Sequence, residues 1–216
     1  MVTSASRKAR TRPTPAPQPE ESSSSVEAPP ATQGEEELTT LREIYDELVG
    51  RTKLRAEIIN GRLIVSPLGT PEHQDIALAL GATLRPHAIS RGWKAYAGLD
   101  IVMDGTREPY APDFVIAPPD APRWGVREVF ASGVIMVGEV VSDGSQTQDR
   151  EEKRIAYAVA RIPLYLLVDP IAAPPTVTIF SDPKDGAYTT STAVTMGKPL
   201  HIPDPVDFSL DTSIFL

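Results

Sequence analysis

Cysteine is absent from all 216 residues. That excludes disulfides, thiolate catalysis and cysteine-held zinc or iron–sulfur centres, so any metal ion must be held by oxygen or histidine. Histidine is itself scarce: His73, His87 and His201 stand far apart, and no zinc-binding spacing such as H-E-x-x-H occurs. Long apolar runs are missing too. The longest candidates are interrupted by Gly81 and Arg85 or by Glu139, well short of the roughly 18 residues of a spanning helix, so no membrane span is expected. The basic start "RKARTR" runs into prolines and serines rather than the apolar centre of a secretory leader, and a cytoplasmic location is the expectation. Basic side chains are outnumbered, 21 Lys and Arg to 29 Asp and Glu, and beyond Leu38 the balance is 17 to 23. This argues against nonspecific adhesion to nucleic acid through a general basic surface, but not against a local cationic cleft.

The 22 prolines are unevenly spread, and residues 1–38 hold almost no large apolar side chain that would offset the entropy of ordering them. A disordered tail is expected there, followed by a single domain over 39–216. Leu41, Ile44, Tyr45 and Leu48 recur at helical spacing, with Thr39 or Thr40 as cap and Gly50 as stop. Asn60-Gly61 between two β-rich runs predicts a hairpin. Thr70-Pro71-Glu72 predicts a helix start, with Ile76, Leu80 and Leu84 on one face and Pro86 bending or ending it. "WKAYAG", "LDIVMD", "PDFVIAP" and "VIMVGEVV" read as strands, "GTREPYA" and "PDAPRWGVREVFASG" as loops. A helix over 147–160 precedes the apolar strand "PLYLLVDP" and a closing β-meander. The class is α/β: a central sheet flanked by two principal helices, with additional C-terminal strands.

Glu139 stands inside the valine-rich run "VIMVGEVV". A carboxylate in a buried strand needs a cation, a proton or a partner. Asp113 opens another otherwise uncharged strand, and Asp149, Lys153 and Tyr157 share one face of the helix that follows Glu139. Two carboxylates at neighbouring strand ends supply the hard oxygen ligands of Mg²⁺, and phosphodiester hydrolysis uses such an ion together with an ammonium group.

These residues resemble a known signature. Pro112-Asp113 and then Glu139 look like the first two parts of the PD-(D/E)xK nuclease motif. The ordered segments "AEIINGRLIVSP", "TPEHQ", "APDFVIAPP" and "GEVVSDGSQTQDREEKRIAYAVARIPLYLLVDP" are similar to the Uma-two family of restriction-endonuclease-like proteins over about residues 39–216. The motif's lysine position, two residues after Glu139, is occupied by Val141. The resemblance places that lysine on the following helix, at Lys153. It implies a restriction-endonuclease-like core with a central mixed sheet. It also implies a metal-dependent endonuclease acting on DNA, in which Asp113 and Glu139 hold Mg²⁺ or Mn²⁺ and Lys153 completes the catalytic set. Glu57 is implied as a further ligand or water-orienting group, and Asp149 as a support for Lys153.

Taken singly, Asp113 is a strand-entry acid, Glu139 a sheet-end acid facing water and Lys153 a solvated helix residue. Their ordered combination points to a shared site. The histidines are left out of it. Ser142, Gly144 and Ser145 suit either a phosphate cradle or a plain strand-to-helix loop, and Trp93 and Trp124 read as packing groups. The alternative function is a catalytically inactive nuclease fold kept as a binding or regulatory module. Sheet edges and the two-fold symmetry of duplex DNA favour a homodimer.

Overall fold

The computed structural model describes residues 40–52, 54–67 and 69–216; the expected disordered tail, 1–38, lies outside them. Reciprocal capping starts the first helix, α1 (Leu41–Thr52): the Glu43 amide donates to Thr40 Oγ1 and the Thr40 amide to Glu43 Oε2. Gly50 does not stop it; the helix runs on to Thr52. Its buried residues, Tyr45 and Val49, lie one turn apart and pack on β1 (Arg55–Ile59). Strand β1 pairs with β2 (Arg62–Ser66) across Asn60 and Gly61, whose φ values of 50° and 70° are those of the expected turn.

The second helix, α2 (Pro71–Ser90), is capped by Thr70, whose hydroxyl accepts from the His73 amide. It buries Ile76, Leu80, Leu84 and Ala88. Pro86 lies inside it and does not end it. The carbonyl that loses its donor there belongs to Ala82, on the exposed side of the helix, where water can take the amide's place.

Six strands form the central sheet, in the order β12 (Ala187–Thr195), β11 (Thr176–Lys184), β10 (Leu164–Asp169), β9 (Met136–Val140), β6 (Phe114–Ala117) and β3 (Lys94–Ala97). Strands β9 and β10 are parallel and the other pairs antiparallel, so the sheet is mixed. The crossover between β9 and β10 carries α3 (Lys153–Val159). Both faces are covered, and alternate residues of each inner strand enter different cores. Leu164, Leu166 and Val168 join Met136 and Val140 under α2, whereas Tyr165 and Leu167 join Val137 and Tyr157 on the α3 side. Gly138 faces α2, where a Cβ would lie 3.1 Å from Leu80 Cδ2; the close approach of helix and sheet requires a residue without one. Glu139, the next residue, therefore points to the α3 face.

The segments read as loops hold short strands that join "LDIVMD", read as a strand. β4 (Ile101–Val102), β5 (Pro109–Tyr110), β7 (Arg123–Trp124) and β8 (Glu128–Phe130) build a separate four-stranded sheet, so "LDIVMD" does not belong to the central one. At the C-terminus the hairpin β13 (Pro199–Ile202) and β14 (Phe208–Asp211) adds Leu200, Ile202 and Leu210 to the α2-side core. Among the described residues no helix is long and apolar enough to cross a membrane.

Candidate functional site

Five acidic or basic side chains named from the sequence meet on the α3 face of the sheet. Lys153 Nζ lies 3.1 Å from Glu139 Oε1, 3.1 Å from Glu57 Oε1 and 3.2 Å from Asp149 Oδ1. All four groups are buried. Glu57 arrives from the middle of β1, where its Oε1 also accepts from the Ala111 amide at 2.8 Å. Glu139 arrives from β9, and its Oε1 takes a second bond, 2.6 Å, from the Tyr157 hydroxyl. Lysine and tyrosine thus share one oxygen of Glu139, and Oε2 takes no part in these bonds.

Asp149 and Lys153 reach the site through a local irregularity. Residues Gln148–Glu152 form a π turn, in which the Lys153 amide bonds the carbonyl of Gln148, and the α-helical pattern begins only at Lys153. A π turn inserts one residue into the helical repeat and is often found at functional sites. The Tyr165 hydroxyl, donating to the Asp149 carbonyl at 2.7 Å, ties this turn to β10.

Asp113 lies just before β6, on the other side of Glu139, and is held from three directions. Arg55 donates to Oδ1 at 2.8 Å, the Val140 amide to Oδ2 at 2.9 Å, and His73 Nε2 stands 3.2 Å from Oδ2. Arg55 also donates to the Ala111 carbonyl. Sequence reasoning missed Arg55 and set His73 aside. For Arg55 a signal existed: it alternates with Glu57 in a β-strand and so shares its face. For His73 none did, because only the packing of α2 against the sheet brings it to Asp113.

Burial affects the acids differently. It pushes Glu139 up to about 8, an effect that the neighbouring Asp149, Asp113 and Glu57 reinforce and Lys153 opposes. Asp149 is raised for the same first reason. Burial would raise Asp113 too, but His73, the Arg55 guanidinium and the Val140 amide outweigh it and hold that carboxyl well below its ordinary range. Lys153 would lose its proton on burial alone; Glu139, Glu57 and Asp149 together push it well above its ordinary value. The site therefore pairs an acid held well below its ordinary range, Asp113, with one raised above it, Glu139.

A cavity of about 60 Å³, room for about two waters, is lined by Asp113, Glu139, Lys153 and His73 together with Ser142 and Ser145. The two serines bond each other, Oγ to Oγ at 3.0 Å, within the strand-to-helix loop. Among the described residues no three His, Asp or Glu side chains stand as a ready-made metal cage. The donor set nevertheless suits a hard divalent cation. Four carboxylates face two permanent cations, Arg55 and Lys153, and Asp149 Oδ1 is buried with its ion pair to Lys153, 3.2 Å away, but no well-formed hydrogen bond. Trp93 packs beside the α2-side core, and Trp124, on β7, is 39% exposed between the guanidinium groups of Arg42 and Arg107.

Residues 42–213 match the family model Uma2, described as "Putative restriction endonuclease". Among solved structures, one titled a putative nuclease belonging to DUF820 from Anabaena variabilis aligns with a TM-score of 0.64 at 16% identity, covering 82% of this chain and 96% of that one. This likeness establishes the restriction-endonuclease-like fold. Two NucC structures align more weakly. The apo form from E. coli has a TM-score of 0.28 and 19% identity, over 47% of this chain and 50% of that one. The cAAA-bound form from P. aeruginosa has 0.26 and 15%, over 50% and 58%. Comparison with curated proteins gives no match.

Proposed function

Since this chain belongs to the Uma2 family, described as "Putative restriction endonuclease", we propose that it is an endonuclease that hydrolyses DNA phosphodiester bonds with Mg²⁺ or Mn²⁺ held by Asp113 and Glu139. The observation that carries this reading is the meeting of Asp113, Glu139 and Lys153 around one small cavity, although they come from three separate elements. A bound divalent ion would supply a water of lowered pKa and would shield the charge of the phosphate.

The chain's own residues do the rest. Asp113 offers an ionised carboxylate, oriented by Arg55, His73 and the Val140 amide. Glu139 would hold the cation through its carboxylate, the ion taking the place of the proton that burial favours there. Lys153 stabilises negative charge developing on the phosphoryl oxygens or orients the attacking water, and Asp149 and Glu57 position its ammonium. The lysine comes from α3 instead of β9, a migration that a long flexible side chain permits.

Supercoiled plasmid and single-stranded DNA, incubated with the protein in Mg²⁺ or Mn²⁺, test the proposal. The parent should cleave, and Asp113→Asn and Lys153→Ala should each slow cleavage at least about 100-fold. Undiminished cleavage by either variant would place the activity elsewhere.

A second reading, an inactive nuclease fold serving as a binding or regulatory module, is favoured by the engagement of Lys153 with three carboxylates and by the lack of a three-ligand cage among the described residues. Calorimetric titration with Mg²⁺ and Mn²⁺, alongside DNA binding without cleavage in either metal, would select it. A homodimer belongs to the first reading. Strand β12 ends the sheet and carries no charge or proline over Ala187–Thr195, which suits pairing with a second copy. Sedimentation analysis decides it. A cytoplasmic location completes the proposal, in keeping with the cysteine-free composition.

A further inference from the structure

A second hollow, of about 600 Å³, lies beside the acidic cavity, between α2 and the edge strand β3. Arg55, His73 and Asp113 line both spaces, so the larger one adjoins the candidate reaction centre across these three side chains. His73, at this junction, is about nine-tenths buried, and its Nδ1 has no partner among the described residues. From there the hollow follows one flank of α2, from Gln74 past Ala77, Gly81 and Ala82, to Arg85, which is exposed at the far end. Ala95 and Ala97 of β3 line the opposite side.

Eleven helical steps separate Gln74 from Arg85, about 17 Å at 1.5 Å each. The volume spread over that length leaves a cross-section of about 35 Å². A closed duplex does not fit such a passage, since its major groove alone is about 12 Å wide. One unpaired strand does. The walls, small apart from Leu78, Tyr96 and Phe114, leave room for sugars and bases; Arg85 stands at one end where a phosphate would lie, and Arg55, bonded to Asp113 and the Ala111 carbonyl, adds positive charge at the other. The shared lining by Asp113 selects this occupant over a peptide, because whatever fills the trough lies against a carboxylate of the cavity in which hydrolysis is assigned.

The geometry points to a strand-binding trough: α2 and β3 carry the unpaired strand next to the scissile phosphate, so the substrate class is single-stranded or locally melted nucleic acid. This rests on the hydrolytic reading of the acidic cavity, and it goes beyond that reading in naming the form of the substrate and the path it takes.

Fluorescence anisotropy with labelled 12-nucleotide strands of DNA and of RNA, and with the matching duplexes, tests it on the full chain in EDTA, where binding is read without cleavage. Single strands should bind at least about tenfold more tightly than duplexes, and the DNA and RNA arms decide which sugar is preferred. Ala82→Trp, on an exposed position of the trough wall, should weaken strand binding about tenfold or more. Arg85→Ala should lower the slope of log K against log salt by about 0.7, the value of one phosphate contact in a single strand. Duplex binding as tight as strand binding, no binding of any probe, or parental strand affinity in both variants overturns the trough. Loss of cleavage with strand preference intact sinks the hydrolytic reading alone. Retained cleavage with trough variants that bind like the parent sinks the trough alone.

Discussion

Replacing Glu139 by glutamine should make the metal-free protein more stable at neutral pH and remove its response to Mg²⁺. Burial pushes the Glu139 carboxyl from its ordinary 4.5 up to about 8. Between those values the folded chain holds a proton that the unfolded chain has released. Stability therefore falls as pH rises through this window, by about 1.4 kcal/mol per pH unit, and levels off above it. At pH 7 the accumulated loss is about 3 kcal/mol. Glutamine keeps an acceptor oxygen for Lys153 and Tyr157, which meet Glu139 at 3.1 Å and 2.6 Å, but it cannot ionise. Parent and variant should accordingly differ little near pH 5 and by about 3 kcal/mol at pH 7, in favour of the variant. Urea unfolding in EDTA across pH 5 to 8.5 reads the difference. Saturating Mg²⁺ should then stabilise the parent, by about 2.7 kcal/mol at a hundredfold excess over Kd, and leave the variant where it was. Parallel stability curves across the whole pH range would refute the claim that Glu139 is the buried acid that retains a proton. An equal response of both proteins to Mg²⁺ would remove it from the metal site and leave a purely structural role.

Other perturbations reach neighbouring parts of the same argument. Lys153→Ala leaves the buried Glu57, Glu139 and Asp149 without their shared cation and should cost about 3–5 kcal/mol, seen as a lower urea midpoint at neutral pH. Gly69→Ala would place a Cβ 2.4 Å from His73 Nδ1. The ring's Cγ would lie only 2.8 Å from that Cβ, so the whole ring must swing away from Asp113; cleavage should slow by about tenfold and the melting temperature should fall as Asp113 loses a buried partner. Gly61→Ala puts a side chain at φ +70° in the hairpin turn and should lower stability by about 1–2 kcal/mol in urea without altering metal binding, since the turn lies outside the acidic cavity.

Period and punctuation decided much of the fold in advance. The hairpin at Asn60-Gly61, the capped start of α2 and the alternating apolar strands obey local rules that need no partner to be read. Short strands were harder. Pro109–Tyr110 and Arg123–Trp124 have two residues each, too few to display alternation, and only pairing with Ile101–Val102 and Glu128–Phe130 makes them strands. Pro86 left bending and ending the helix both open for a related reason: whether a proline ends a helix depends on where the freed carbonyl points, and that is a tertiary fact.

The same division runs through the site. A carboxylate among valines and a helix with Asp149, Lys153 and Tyr157 at four-residue steps were legible from residue order alone, because desolvation and helical geometry act within a few residues. Order alone determined that a buried charge would need a partner and which residue types were on offer. Tertiary structure decided that Glu57 crosses from β1 to share Lys153, that the π turn brings Asp149 inward, and that Arg55 and His73 claim Asp113. Those contacts join elements up to about a hundred residues apart, and their distances follow from how the sheet, α2 and α3 pack, which no local pattern encodes.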